Sequence, residues 1–254
     1  MTVKAVLFDF ADTLVHTERF DYDTCLKKMV QSLSKNGIVV PFESFKRGYF
    51  DSRDRFYKET EKTLEEQDFA ERTRETLRNS GIRLNVNDET VREAAEAFSN
   101  CFAKSLTMES YLPSLLERLH KRYRLAVVSN MSFSEAIFQS LKEFDICKHF
   151  DAVIVSGVLG WRKPSPRIFQ AALQALDVKA EEAVFVGDSP IADVEGTKKL
   201  GMKTVLFVEK NRKQPSTDTF QFYMKEGKNN IKPDMTIRIL ASLPRTLHSL
   251  SKQP

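Results

Sequence analysis

Four stretches of this 254-residue chain place carboxylates, a lysine and hydroxyl or amide donors where apolar runs end. "VKAVLFDF" (3–10) leads into Asp9, Asp12 and Thr13, and "RLAVVSN" (124–130) closes on Ser129 and Asn130. "DAVIVS" (151–156) is followed by "GWRKPSP" with Lys163, and "EAVFVGD" (182–188) runs into "SPIAD", giving Asp188 and Asp193. Carboxylates gathered in one place repel one another unless a cation joins them. An oxygen-only donor set suits Mg²⁺, which takes one or two carboxylates and shares substrate phosphate oxygens. A carboxylate can itself be the nucleophile. A lysine can neutralise the charge of a transferring phosphoryl group while hydroxyl and amide donors hold its oxygens. The set points to Mg²⁺-assisted phosphoryl transfer.

For these residues to act together, the runs that carry them must end at one edge. Each run is rich in Val and other apolar residues without clean alternation, as parallel strands covered on both faces are. "KTVLFV" (203–208) is a fifth run of this kind. Helical stripes lie between the later runs: Phe133, Ile137, Leu141 and Phe144, then Ile168, Ala171, Ala172, Ala175 and Leu176. Alternating strands and helices predict an open α/β sheet with right-handed crossovers. Ligands of such sheets bind beyond the carboxyl ends of the strands, where the candidate residues stand.

Residues 21–108 break the alternation and carry no strand pattern. Leu26, Met29, Val30 and Leu33 form an apolar stripe that Gly37 stops, and Asn87-Asp88 caps a second stripe of Val91, Ala94, Ala95, Phe98 and Phe102. The charged stretch between them reads as helix up to Gly81, with 58–78 as a solvated face. An insertion of this length reads as a second, helical domain. Residues 209–232, rich in Lys, Asn and Gln, read as a loop or mobile insertion, and "PDMTIRILASLP" (233–244) as a closing strand or edge segment.

The composition is that of a globular chain, 41% hydrophobic and 29% charged, and a net charge of +4 makes no case for nucleic acid or an anionic membrane as partner. The three cysteines (Cys25, Cys101, Cys147) have no metal-ligand spacing and read as buried free thiols of a reducing compartment. No run approaches the roughly 20 residues needed to span a bilayer. A strand beginning by residue 3 leaves no room for a signal peptide. A cytoplasmic location is expected, as a monomer or homodimer.

"FDFADTL", "VVSN", "RKPSPRIF" and "VGDSPIADVEGTKKLGM" together resemble motifs one to four of the haloacid dehalogenase superfamily, in order and across the whole chain. The fourth is the most specific, since GDSxxxDxxGxxxxGM is met from Gly187 to Met202. The resemblance implies an α/β fold: a Rossmann-like open parallel sheet core (1–16 and 109–254) with an inserted all-helical cap domain (17–108). It implies Asp9 as nucleophile, Ser129 as phosphate-binding hydroxyl and Lys163 as phosphate-neutralising lysine. It further implies Mg²⁺ held by Asp9, the main-chain carbonyl of Ala11, Asp188 and Asp193. Asn130 and Thr13 join Lys163 as candidate substrate-binding residues, for a small phosphorylated substrate.

Ala11 departs from the pattern. Phosphatases of the superfamily carry a second Asp there as general acid and base, a function whose loss costs roughly 10²- to 10⁴-fold. Asp12 does not replace it, because neighbouring side chains of an extended segment face opposite ways. Four readings stand. The chain is a phosphatase lacking that Asp. It resembles the phosphonoacetaldehyde hydrolases, which have Ala here and need a cap lysine (Lys27, Lys28, Lys35, Lys46, Lys58, Lys62 or Lys104). It resembles haloacid dehalogenases, which need no metal, against the intact acidic pair. Or it is a non-catalytic phosphate- or partner-binding member.

Structural roles compete for individual residues. Asp12 reads as a turn former, Thr13 as a loop tie through its hydroxyl, Asn130 or Ser132 as a helix cap, and Gly187 and Gly201 as turn glycines. Trp161 reads as a packing residue, Arg162 as an ion-pair partner of the core acids or a solvent-facing side chain, and His16 as an exposed residue at the hinge. The aromatic set Phe42, Phe45, Tyr49, Phe50, Phe56 and Tyr57 reads as cap core, some of it lining the substrate pocket.

Overall fold

The computed structural model describes residues 2–82, 86–208 and 232–252. The expected loop at 209–232 falls almost entirely outside them. Six parallel strands form one sheet: β1 (Ala5–Phe8), β2 (Arg124–Ser129), β3 (Ala152–Val155), β4 (Ala183–Gly187), β5 (Lys203–Phe207) and β6 (Met235–Ile237), in the order β3-β2-β1-β4-β5-β6. The order changes direction at β1, so β1 lies at the centre between β2 and β4. Asp9 and Asp188 follow adjacent strands, and Ser129 ends the neighbouring one.

The strands are apolar on both sides because helices cover both faces. On one face Val6, Phe8, Leu125, Val127, Val184 and Val186 pack against α5 (Leu112–His120), α6 (Glu135–Glu143) and the C-terminal helix α10 (Leu243–Ser251). On the other, Ala5, Leu7, Ala126, Val128 and Phe185 meet α8 (Pro166–Leu176). The short helix α7 (Ser156–Leu159) follows β3 directly. A π-turn at Pro190–Glu195 leads from the β4 loop into α9 (Gly196–Lys198).

Between β1 and β2, α5 is preceded by four described helices that pack together: α1 (Tyr22–Lys35), α2 (Phe42–Thr63), α3 (Phe69–Asn79) and α4 (Asp88–Ser105). Their apolar faces bury Leu26, Met29, Leu33, Phe45, Tyr49, Val91 and Phe98 in a core of their own. Asp21, Asp68 and Asn87 cap the first, third and fourth of them through their side chains. The two chain passages into this unit pair at one point, His16 N–H donating to Thr107 O (2.7 Å) and Thr107 N–H to His16 O (3.2 Å).

Several expectations are corrected. The helix expected across the charged middle is two helices, because Leu64 adopts a left-handed conformation (φ 58°) that ends α2. The stretch 58–78 is not uniformly solvated: Thr60, Phe69, Arg72, Thr73, Thr76 and Leu77 are buried. Of 233–244 only Met235–Ile237 pairs with β5, and the chain then turns into α10, with Pro244 in its first turn. Of the cysteines only Cys25 is buried, and Cys147 is exposed.

Candidate active site

Asp9 follows β1, and its N–H donates to Val186 O (2.9 Å). That bond extends the β1–β4 pairing by one residue and fixes the carboxylate at the sheet edge. Its side chain is 8% exposed in the whole residue and accepts from Lys163 Nζ at 2.7 Å through Oδ1. The same ammonium donates to Asp193 Oδ1, also at 2.7 Å. Lys163 and Asp193 are both buried. Asp188, half-buried after β4, completes a carboxylate set with Asp9 and Asp193 whose ligand oxygens lie within 4.8 Å of one another.

One lysine cannot neutralise this many carboxylates. Burial works against charge on Lys163, yet Asp193 and Asp9 outweigh it and hold the ammonium above its ordinary value. Burial pushes the Asp193 carboxyl up to about 6; Asp9 adds to that rise and Lys163 opposes it. The residual negative charge and the oxygen-only donors fit a hard divalent cation.

The backbone around these groups is built to hold them. Ser189 N–H donates to Asp193 Oδ2 (2.9 Å), and Ala192 N–H to Ser189 Oγ (3.1 Å). Thr197 Oγ1 donates to the carbonyl of Asp193. A Cβ on Gly187 would run into the Asp193 carboxylate, so this glycine is there for a close approach and not, as expected, for a turn. Gly201 does have the expected turn geometry (φ 84°).

Asn130 neither caps the next helix nor stands alone. Its Nδ2 donates to Lys163 O (2.9 Å) and its Oδ1 accepts from Lys163 N–H (2.7 Å). This two-point clamp ties the end of β2 to the lysine segment, and Ser129 is buried just before it. Asp12 forms the turn after β1 in a left-handed conformation (φ 60°), accepting from Thr17 Oγ1 at 2.8 Å. Thr13 is corrected: its buried Oγ1 has no hydrogen-bond partner among the described residues. The loop is tied instead by Asp12 and by Leu14 N–H donating to Phe10 O (2.9 Å). Ala11 packs partly against the core below the sheet edge.

The helical unit reaches this edge through a strap that the sequence did not reveal. Residues 64–66 pair with 160–162: Glu66 N–H donates to Gly160 O and Arg162 N–H to Leu64 O, each at 3.0 Å. Ser156 Oγ donates to Glu66 Oε2 (2.7 Å) and accepts from Met131 N–H (2.8 Å). Arg162, beside Lys163, is buried over the rings of Phe56 and Tyr57 and does not face solvent. Trp161 packs under the Arg167 guanidinium, 3.7 Å from its ring centre. Phe133, from the loop after β2, meets Phe69, Phe98 and Phe102 of the helical unit. The seven candidate cap lysines are all at least partly exposed, and Lys46 pairs with Asp23. His16 lies at the crossing, 3.6 Å from Glu109.

Residues 3–201 match the haloacid dehalogenase-like hydrolase family. The glyceraldehyde 3-phosphate phosphatase of Pyrococcus abyssi is 29% identical over 208 residues, 81% of each chain. The phosphoserine phosphatase of Thermus thermophilus is 34% identical over 117 residues, 46% of this chain and 47% of that one. Among solved structures, a 2-haloacid dehalogenase from Pseudomonas syringae superposes with a TM-score of 0.68 at 22% identity, covering 98% of this chain and 100% of that one. A phosphatase from Thermococcus onnurineus superposes with a TM-score of 0.60 at 23% identity, covering 96% and 98%. These likenesses bear out the α/β fold read from the strand pattern. With its sheet, its four strand-end groups and its family match in agreement, the chain belongs to the haloacid dehalogenase-like hydrolases.

Proposed function

We propose that this protein is a Mg²⁺-dependent phosphatase-type hydrolase of small phosphorylated metabolites, working through a phosphoryl-aspartate at Asp9 and limited by the methyl group of Ala11. The observation that carries this reading is the Asp9 carboxylate held at the strand end by Lys163, beside Asp188 and Asp193. In this reading Asp9, Asp188, Asp193 and the Ala11 carbonyl hold the cation. When bound, it offsets the charge of the carboxylates and of the phosphate oxygens.

The chain's own groups then divide the work. The Asp9 carboxylate attacks phosphorus; an aspartyl–phosphate bond forms and the ester P–O bond breaks, its electron pair leaving on the alcohol oxygen. Ser129 and the orphaned hydroxyl of Thr13 donate to the phosphoryl oxygens, and the Lys163 ammonium offsets their charge. Asn130 positions the Lys163 segment. Ala11 carries no proton for the departing oxygen, so that proton comes from water. Water then attacks phosphorus, releasing inorganic phosphate and restoring Asp9. Residues 17–108 act as the cap and the rest as the core, the cap excluding bulk water and supplying selectivity. A non-catalytic, phosphate-binding protein is the second reading, favoured by Ala11 alone.

Hydrolysis of an activated aryl phosphate in Mg²⁺, by this protein and by Ala11→Asp, tests the proposal. A gain of about 10²-fold or more from Ala11→Asp is expected, as for a regained acid–base group. No turnover by either protein overturns it.

A further inference from the structure

Arg72, on the face of α3 that packs inward, is 3% exposed. Its guanidinium lies over two aromatic rings, 4.6 Å from the centre of Phe69 and 5.4 Å from that of Tyr49. Arg72 Nη2 donates to Tyr49 Oη (3.3 Å), and its Nε has no partner among the described residues. Gln67 Oε1 is likewise buried without a partner among them. An arginine does not give up its proton in a protein, so this is a permanent buried charge. Burying such a charge costs several kcal/mol unless an anion meets it. Ring faces offset part of that cost but bring no negative charge.

Its place in the fold ties it to the phosphoryl site. Phe69, one turn before Arg72, touches Phe133 from the loop that follows Ser129. Tyr57 lies within electrostatic reach of both Arg72 and Arg162, and Arg162 adjoins Lys163. Glu66 is the carboxylate that acts on Arg72, but its Oε2 is engaged by Ser156. Arg53, also buried on this side, pairs with Asp54 (2.9 Å).

We infer that Arg72, backed by Tyr49 and Phe69, receives a carboxylate on the substrate, making the substrate class small phosphorylated carboxylic acids. This rests on the phosphatase reading for the position of the phosphate. The planar, five-donor fork of arginine matches a carboxylate, and the unpartnered Nε offers one of the two bonds of a bidentate pair. An aldehyde or alcohol at that position can accept one hydrogen bond but brings no charge to match the guanidinium.

A matched pair of ligands tests this on the Mg²⁺-loaded protein: 4-phosphonobutyrate and butylphosphonate, which differ by a carboxylate against a methyl and whose C–P bond a phosphatase does not cleave. Calorimetric titration is expected to show the acid binding on the order of tenfold more tightly or better, as for a desolvated charge pair. Arg72→Gln should abolish that preference while leaving butylphosphonate within about twofold, and Arg72→Lys should keep part of it. Equal binding of the two ligands by the unsubstituted protein overturns the inference, whether or not Arg72→Gln folds. Equal weakening of both by Arg72→Gln also overturns it, since a merely structural arginine acts that way. Inorganic phosphate separates the two levels. If it binds and the acid has no advantage, only this inference fails; if it does not bind, the phosphatase reading fails as well.

Discussion

Two buried cations, one in the sheet unit and one in the helical unit, are treated differently. On the core side, Lys163 stands between two carboxylates at 2.7 Å each, with the surrounding backbone fastened by Asn130 and Ser189. On the helical side, Arg72 rests on the rings of Phe69 and Tyr49 and donates to the Tyr49 hydroxyl, its Nε unpaired among the described residues. In the first arrangement the chain supplies carboxylates to the ammonium, with negative charge to spare. In the second the chain supplies the guanidinium chiefly with ring faces. Under the proposed function the first suits the chemistry common to many substrates, and the second the part that differs between them.

The largest expected effect comes from removing the proposed nucleophile. Asp9→Asn should lower Mg²⁺-dependent turnover by at least about 10³-fold, as expected when one member of a catalytic unit is lost. An initial-rate assay on an aryl phosphate checks this, and turnover that survives would assign the chemistry to another residue. Lys163→Met should come next, read in stability. Breaking a buried charge cluster costs about 3–5 kcal/mol. The loss should depend on pH with a definite sign. A carboxyl whose folded pKa is raised, as that of Asp193 is to about 6, binds its proton more tightly folded than unfolded. Its contribution is present below the unfolded pKa and is lost as pH rises through the folded one. Without Lys163 that value rises further, so denaturant melts in chelator should show the variant recovering stability as pH falls from neutral towards 4. A pH-independent loss would show that Lys163 acts there by packing alone.

A smaller effect is expected at Gly187. The new methyl of Gly187→Ala meets the Asp193 carboxylate head on, an overpacking that costs about 1–3 kcal/mol. It should also weaken the rise in melting temperature that Mg²⁺ gives the unsubstituted protein. Thermal melts with and without Mg²⁺ separate the two consequences. A fall in stability with full Mg²⁺ response would place Asp193 outside the metal site.

The same contrast governs what the sequence discloses. Strands buried on both faces leave continuous apolar runs, and parallel pairing brings their ends to one edge, so Asp9, Ser129, Lys163 and Asp188 could be placed by strand alone. Asn130 was legible as polar but not as a clamp, because its partner is a backbone segment 33 residues away. Gly187 looked like any glycine until the carboxylate opposite it was located. In the helical unit nothing marks Leu64 as a helix end, since no Gly or Pro stands there; its carbonyl leaves the helix to accept from Arg162 N–H, a partner far along the chain. Arg72 sits in a Lys/Glu-rich stretch whose composition reads as solvated. Which side of α3 is buried depends on how α2 and α4 pack against it, and a period in the sequence cannot supply that.

Glu66 offers the smallest and most discriminating test of the contrast. Its carboxylate accepts from Ser156 at 2.7 Å and also lies within electrostatic reach of Arg72. If the hydrogen bond to Ser156 is its main work, Glu66→Gln keeps an acceptor in place and should cost about 1 kcal/mol. The substitution also removes a negative charge that acts on Arg72, so 4-phosphonobutyrate should bind more tightly to the variant while butylphosphonate stays unchanged. If Glu66 were instead the structural counter-ion of Arg72, the variant would strand a buried guanidinium and lose about 3–5 kcal/mol. Chemical denaturation and the two-ligand titration on one variant therefore report opposite signs for the two arrangements. A small stability loss with a gain for the acid keeps Arg72 as a receptor. A large loss with no gain makes it a charge already matched, and removes the difference between the two cations.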